Sequence, residues 1–217
     1  MVPMIESAVS DDSDSVAARI AQRTLAEREA GYASEVRRLL DAALKVIQQS
    51  GTASRPRVAD IVAAAGLSND AFYRHFPSKD ALIAAVLQDG TERLASYTAH
   101  QMGKEPTPEG KVRRWVEGVF SQTREEMAST TLAVLWNGGS IGAGNTSSRH
   151  SAIALLGALL REPLAALGST DPETDASLAA HAAVGKVSDY LWQRLAPTQV
   201  QVDYITEFCL RVVTPRS

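Results

Sequence analysis

The sequence predicts an all-α fold, and three observations carry that prediction. Apolar residues recur at intervals of three and four along most of the chain, the period of one buried helix face, and no useful run alternates with period two. Ala and Leu abound, while Gly and Pro number only 14 and 9 in 217 residues. Several of those breakers, Gly51, Gly66, Pro77, Pro172 and Pro197 among them, fall between the periodic segments, where helices stop and start.

Taken in order, residues 1–14 are polar and acidic and read as a disordered tail. From Ser15 the pattern turns helical, with Val16, Ile20 and Leu25 apolar and Arg19, Arg23 and Arg28 elsewhere. This is an N-terminal extension over 15–33, interrupted at Gly31. It reads either as a plain helical extension or as an arm bringing arginines to phosphate. Ser34 to Ser50 forms a helix whose stripe is Val36, Leu40, Ala43 and Ile47, ended by Gly51. Within Arg57–Lys79 the spacing of Val58, Ile61, Val62 and Ala65 predicts a short helix, ended by Gly66 in a left-handed turn. Ser68 caps the next helix, which carries Phe72 and Phe76 on one face. Pro77 stops it, and Ser78 caps a third.

Asp80 to His100 reads as one long helix, followed by a linker from Gly103 to Gly110. The remaining segments are a helix over Lys111–Met127, a short apolar piece over Thr130–Trp136 and a loop over Asn137–Ser148. A helix over Ser151–Leu167 is kinked near Pro163, and two more run over Pro172–Leu195 and Pro197–Val213.

Two short helices joined by a tight turn, preceded by a supporting helix, form a helix-turn-helix. A major groove about 12 Å wide admits one helix, whose N-terminal half reaches base edges. Here those positions are Ser68, Asn69, Asp70 and Ala71, then Tyr73 and Arg74. Asn69 has the paired donor and acceptor that read adenine, Arg74 suits guanine or phosphate, and Ala71 suits a thymine methyl. Asp70 repels phosphate and suits the helix N-terminus or a cytosine amino group instead.

The string GLSNDAFYRHFPSKDAL, with Gly66, Phe72-Tyr73, His75-Phe76 and Lys79 in register, closely resembles the DNA-binding signature of TetR-type transcriptional regulators. The resemblance covers roughly Glu35 to Leu87. It implies a DNA-binding domain over 34–79 and a regulatory and dimerisation domain over 80–217. It also implies backbone phosphate contacts from Tyr73, His75 and Lys79. The family's usual threonine before the first of these helices is replaced by Arg55-Pro56-Arg57, which puts two arginines in reach of phosphate and leaves the helix without an evident cap.

Charge agrees with that division. Residues 34–79 carry seven Lys/Arg against four Asp/Glu, whereas 1–33 carry three against six and 80–217 carry twelve against fifteen. The basic charge is local, which favours a polyanion at one module. The lone Cys209 forms no internal disulfide and suits a reducing cytoplasm. No apolar run approaches the ~20 residues of a membrane span, and the start lacks a secretory signal pattern.

In the second domain Trp115, Phe120, Met127, Trp136, His150 and His181 are candidates to line a cavity, although each also reads as plain core. By the resemblance, such a cavity accepts a small, often apolar effector. Val184, Val187, Leu191 and Leu195 form one late stripe, and Val202, Ile205, Cys209 and Val212 another. The resemblance pairs such helices across a two-fold axis into a homodimer; burial inside one chain explains them too. NGGSIGAGNTSS has no preceding strand and no GK[ST], and no HExxH, CxxC or GxSxG occurs, so an enzyme, a metal site or a cofactor is unsupported. The expected function is a sequence-specific DNA-binding transcriptional regulator, a repressor released from its operator by a small-molecule effector. A regulator without a small-molecule effector is the alternative, and an enzyme carrying a helix-turn-helix is a more distant one.

Overall fold

The structure is a computed structural model that describes residues 15–139 and 144–213. Among those residues the regular structure is helical throughout, in ten α-helices. The tail over 1–14 and part of the expected 137–148 loop lie outside the described residues.

The first helix, α1, runs from Val16 to Ser50 without a break. Its 35 residues make a rod about 52 Å long at 1.5 Å per residue. Gly31 does not interrupt it, contrary to the expectation. A glycine inside a helix costs about 1 kcal/mol, less than nucleating a new helix beyond it. Next to it, Tyr32 is held by an edge-on contact with the His75 ring, centroids 4.1 Å apart. Ser15 caps the rod by accepting from the Ala18 N–H.

Two short helices come next, α2 (Val58–Ala65) and α3 (Asn69–His75). Gly66 turns the chain between them at φ +62°, and its own N–H and that of Leu67 return to the carbonyls of Ala63 and Val62. The guanidinium of Arg38 on α1 clamps the same turn, donating to the carbonyls of Ala65 and Gly66 over 2.6–3.0 Å. Ser68 caps α3 and Ser78 caps α4 (Lys79–Met102), each accepting from the N–H three residues on. These four helices share one core in which Leu39, Ala43 and Ile47 meet Ile61, Phe72, Leu82 and Ile83.

The rest of the chain packs as α5 (Pro108–Phe120), α6 (Glu125–Gly139), α7 (Gly144–Ala158), α8 (Arg161–Ala166), α9 (Pro172–Gln193) and α10 (Gln199–Arg211). Trp115, Val112, Leu160, Leu164, Ala179 and Ala183 centre a second core. Several boundaries differ from those expected. The helix expected over 111–127 ends at Phe120, because the Ser121 and Thr123 hydroxyls donate to the Gly118 and Phe120 carbonyls and the chain tightens into a 3-10 turn. The next element is the full helix α6 and not a short apolar piece. Nor is 137–148 all loop: α6 continues to Gly139, with Asn137 Nδ2 donating to the Ala133 carbonyl, and α7 begins at Gly144. Finally, Pro163 ends a helix ahead of itself. Its ring clashes with the carbonyl four residues back, so α7 stops at Ala158 and Pro163 sits in the first turn of α8, where no intrahelical N–H bond is lost.

Helix α6 belongs to both cores. Its Ala133 and Val134 pack with the α1–α4 cluster, and its Thr130 hydroxyl accepts from Gln48 of α1. Helices α4 and α5 approach closely at Gly118, where a Cβ would lie 2.6 Å from the Thr98 hydroxyl. The two halves of the molecule are therefore in packed contact through α4 and α6.

Candidate nucleic-acid interface and effector cavity

Helix α3 is too short to stand alone, and its burial decides which side faces out. Phe72 and Phe76 anchor it, with their rings 6.1 Å apart between centroids. Ser68, Asn69, Asp70, Tyr73 and Arg74 are exposed on the opposite side, and Lys79 is partly exposed beside them. Of the residues expected to read or grip nucleic acid, these six share one outward surface. Ser68 spends its hydroxyl on the cap, accepting from the Ala71 N–H over 3.1 Å.

Two expected contacts are corrected. Ala71 is 3% exposed, turned by the helix phase into the core beside Phe72, so it does not present a methyl to a thymine. The His75 side chain is fully buried, its Nε2–H donating to Glu35 Oε2 over 2.6 Å and its ring packed on Tyr32. It positions α3 against α1 and is closed to phosphate. Arg55 is exposed on the loop before α2. Arg57 is exposed but holds Asp60 with two bonds of 2.9 Å, which keeps the Asp60 carboxyl below its usual range. Consistent with the Arg-Pro-Arg replacement, α2 has no side-chain cap.

Sequence reading missed the residues on α1 that orient α3. Tyr32, Glu35 and Arg38 recur at intervals of three, on one face. Tyr32 packs on His75, Glu35 takes its proton donor and lies 3.6 Å from Arg74, and Arg38 clamps the turn. The hydrogen bond from His75, helped by the charge of Arg74, holds the Glu35 carboxyl below the ordinary range. The signal was present as periodicity, but in polar residues, whereas the stripe was read from apolar ones.

A cavity of about 510 Å³ lies where the two halves meet. Leu40 and Leu44 of α1, Val86, Leu87 and Leu94 of α4, Val134 and Leu135 of α6, Ile153 and Leu156 of α7, and Val184, Val187 and Leu191 of α9 give it apolar walls. Ser121, Gln122, Thr130 and Thr131 supply polar points, and Gln122 already accepts from Thr131 over 2.9 Å. Asp41, Asp89 and Arg93 stand at its edge, where Arg93 pairs with Asp89 at 2.8 Å and Arg37 of α1 reaches the same carboxylate.

Of the six residues expected to line a pocket, Met127 alone does so. Trp115 is buried in the core, its Nε1–H donating to the Leu156 carbonyl and so holding a wall of the cavity from behind. Phe120 packs edge-on against Tyr190 in the same core. Trp136 is half-buried and does not line the cavity. His150 and His181 are exposed, their rings 5.9 Å apart, and His181 Nδ1 meets the Ser177 carbonyl at 2.7 Å. The expected buried histidine is therefore a surface one whose partner is its own helix.

The late stripes are corrected as well. Val187 and Leu191 face the cavity and core, and Ile205 and Cys209 are buried because α10 packs on α5. Burial also pushes the Cys209 thiol up to about 11. Val184 and Val212 are half-buried; Leu195 is exposed at the end of α9. The outward face is a different one. Val200, Tyr204 and Phe208, each four apart on α10, stand exposed, as do Leu178 and Trp192 of α9. A groove of about 440 Å³ runs between the helices there, floored by Ala182 and Tyr190. Among the described residues no helix is long and apolar enough to cross a membrane.

Residues 39–86 match the family model described as bacterial regulatory proteins, tetR family. No curated protein matches the chain in sequence. Solved structures do match in fold. RolR in complex with resorcinol is 16% identical, with 84% of this chain and 89% of that one covered and a TM-score of 0.62. A TetR transcriptional regulator from Rhodococcus sp. RHA1 is 16% identical over 83% of this chain and 93% of that one, with a TM-score of 0.60. FadR from Bacillus subtilis in complex with stearoyl-CoA is 15% identical over 81% and 96%, with a TM-score of 0.57. At these identities the likeness shows a shared fold.

Proposed function

We propose that this chain, which belongs to the TetR family of DNA-binding transcriptional regulators, is a dimeric repressor released from its operator by a small apolar effector. The observation that carries the reading is the outward surface of α3, where Asn69, Tyr73 and Arg74 stand exposed over a back anchored by Phe72 and Phe76. A helix so anchored presents its polar side to a groove in one orientation. Asn69 reads a base edge, while Tyr73, Arg74 and Lys79 grip phosphate. In this division residues 34–79 hold the DNA and residues 80–217 hold the effector and the second copy, in the cytoplasm with the chromosome.

Support for the effector comes from the cavity. Its walls include α1 and α4 as well as α6, α7 and α9, so filling it bears directly on the DNA-binding unit. An effector that prefers one spacing of the two recognition helices shifts the population toward it, and does so only by its difference in affinity between the two states. Support for the dimer comes from the exposed apolar face of α9 and α10 and from DNA geometry, since half-sites one turn apart call for two recognition helices. RolR and FadR are seen with resorcinol and stearoyl-CoA; a bound small molecule of apolar character is the corresponding expectation here.

The test is selection of duplexes from a random-sequence library by the purified protein. The expected product is a pair of related half-sites, bound by two copies with affinity that falls steeply with salt. Enrichment of no sequence, or of a single half-site bound by one copy, sinks the dimeric-repressor reading.

A further inference from the structure

We propose that residues 16–31 of α1 form an arm that runs past α3 to the duplex and binds backbone phosphates outside the half-site read by α3. The proposal rests on the DNA-binding reading above.

Position comes first. The partners of α1 change in order along its length. Gln48 bonds α6, and Leu40 and Leu44 line the cavity at the regulatory half. Arg38 clamps the α2–α3 turn. Glu35 bonds His75, and Tyr32 packs on the same ring, its hydroxyl 3.5 Å from the Arg74 carbonyl at the end of α3. Toward the N-terminus, the contacts pass from the regulatory half, through the turn, to the recognition helix. The remaining helix therefore runs away from the regulatory half on the side of α3, which is where nucleic acid lies. From Tyr32 to Val16 it extends about 24 Å at 1.5 Å per residue, some seven base-pair steps of about 3.4 Å.

Partner chemistry comes second. Residues 19–34 are exposed on every side. A helical segment that buries so little gains little from tertiary packing, which is what stabilises most helices in proteins. It carries Arg19, Arg23 and Arg28 against Glu27 and Glu29. Arg23 and Glu27 are 3.8 Å apart and about three-quarters exposed, a pair worth little in water and readily exchanged for phosphate. Arg19 and Arg23, four apart, share one face of the rod and can meet the same phosphate backbone together, while Arg28 lies about half a turn around it. The segment also adjoins the DNA-facing module directly, sharing the Tyr32–His75 contact with it.

The test replaces all three arginines, R19Q/R23Q/R28Q, in the full chain. Truncation is avoided because residues 1–14 carry four acids and no Lys or Arg, so their removal alters binding by charge. The probe is a duplex selected by the wild-type protein, with at least about 15 flanking base pairs (twice the reach of the arm by the rise above). The expected result is a loss of roughly 10–100-fold in affinity near 0.1 M salt, with the log–log salt slope reduced by about 2–3. A hydroxyl-radical footprint on wild type extends further outward than on the variant, by up to about seven base pairs from the helical rise above. L25P, which breaks the rod and keeps the charge, shortens the footprint in the same way. Unchanged affinity, slope and footprint overturn the arm, and so does a variant whose only change is in its oligomeric state. Failure of the wild type to select any duplex overturns the underlying DNA-binding reading instead.

Discussion

The recognition helix and the last two helices are both surface elements with buried backs, yet they present opposite chemistry outward. Helix α3 hides Phe72 and Phe76 and exposes Asn69, Asp70, Tyr73 and Arg74. Helix α10 hides Val202, Ile205 and Cys209 and still exposes Val200, Tyr204 and Phe208. A helix apolar on one stripe has one partner to find; a helix apolar on two has a second. The first pattern suits a charged, hydrated ligand, and the second suits another protein surface. The difference also separates what holds each in place. α3 is held by the Ser68 cap, the Gly66 turn and the Arg38 and Glu35 contacts from α1. α10 is held by its capping box at Thr198 and by burial against α5.

That contrast is open to direct attack. The largest effect is expected from Phe72→Ala, which removes a fully buried ring from the back of α3. It is expected to cost about 3–5 kcal/mol, read by urea unfolding; a loss below about 1 kcal/mol, the scale of an ordinary substitution, means that α3 is not anchored by its core side. On the other face, Tyr204→Glu with Phe208→Glu puts charge on exposed rings. The dissociation constant of the proposed dimer is expected to rise at least about 100-fold, some 2.7 kcal/mol, by sedimentation, with an unchanged helical spectrum. A chain of unaltered mass removes the assembly role from this face.

Asn69→Ala is expected to relax base preference at one operator position by about 1–3 kcal/mol while leaving the other positions as they were. A uniform loss across all sequences makes Asn69 a phosphate contact instead.

The smallest effect concerns Glu35. Its carboxyl is held below the ordinary value of 4.5 by the bond from His75. It therefore contributes stability above that value, lost as the pH falls through the lower folded one. Glu35→Gln is expected to flatten the wild-type stability profile below about pH 4.5. Parallel acid limbs in the two proteins assign the acid sensitivity to other carboxylates.

The DNA-binding module was legible because its determinants are short-range. Ser68, Ser78 and Gly66 act on neighbours three or four residues away, and the rings at 72 and 76 share a face by spacing alone. Ala71 and His75 were misread as outward because a seven-residue helix buries nearly half its circumference, and only contact with α1 says which half. Elsewhere apolar spacing located helices but not their partners. Trp115 and Phe120 fit a core or a cavity equally by pattern, and the stripe at Val187 and Leu191 fits an inner or an outer interface equally. The second stripe at Val200, Tyr204 and Phe208 was readable at its spacing of four, but the inner stripe of the same helix looked sufficient.

By itself, then, the sequence determined the all-helical class, the recognition module with its caps and turn, and the local basic charge on that module. Each depends on interactions within a few residues or on composition. Tertiary structure decided the unbroken rod of α1, the shared membership of α6, the walls of the cavity and the outward face of α9 and α10. Those depend on which apolar stripe meets which. Many stripes of similar hydrophobicity can pair, and close packing selects among the pairings through volumes and approaches, such as Thr98 against Gly118, that span distant parts of the chain.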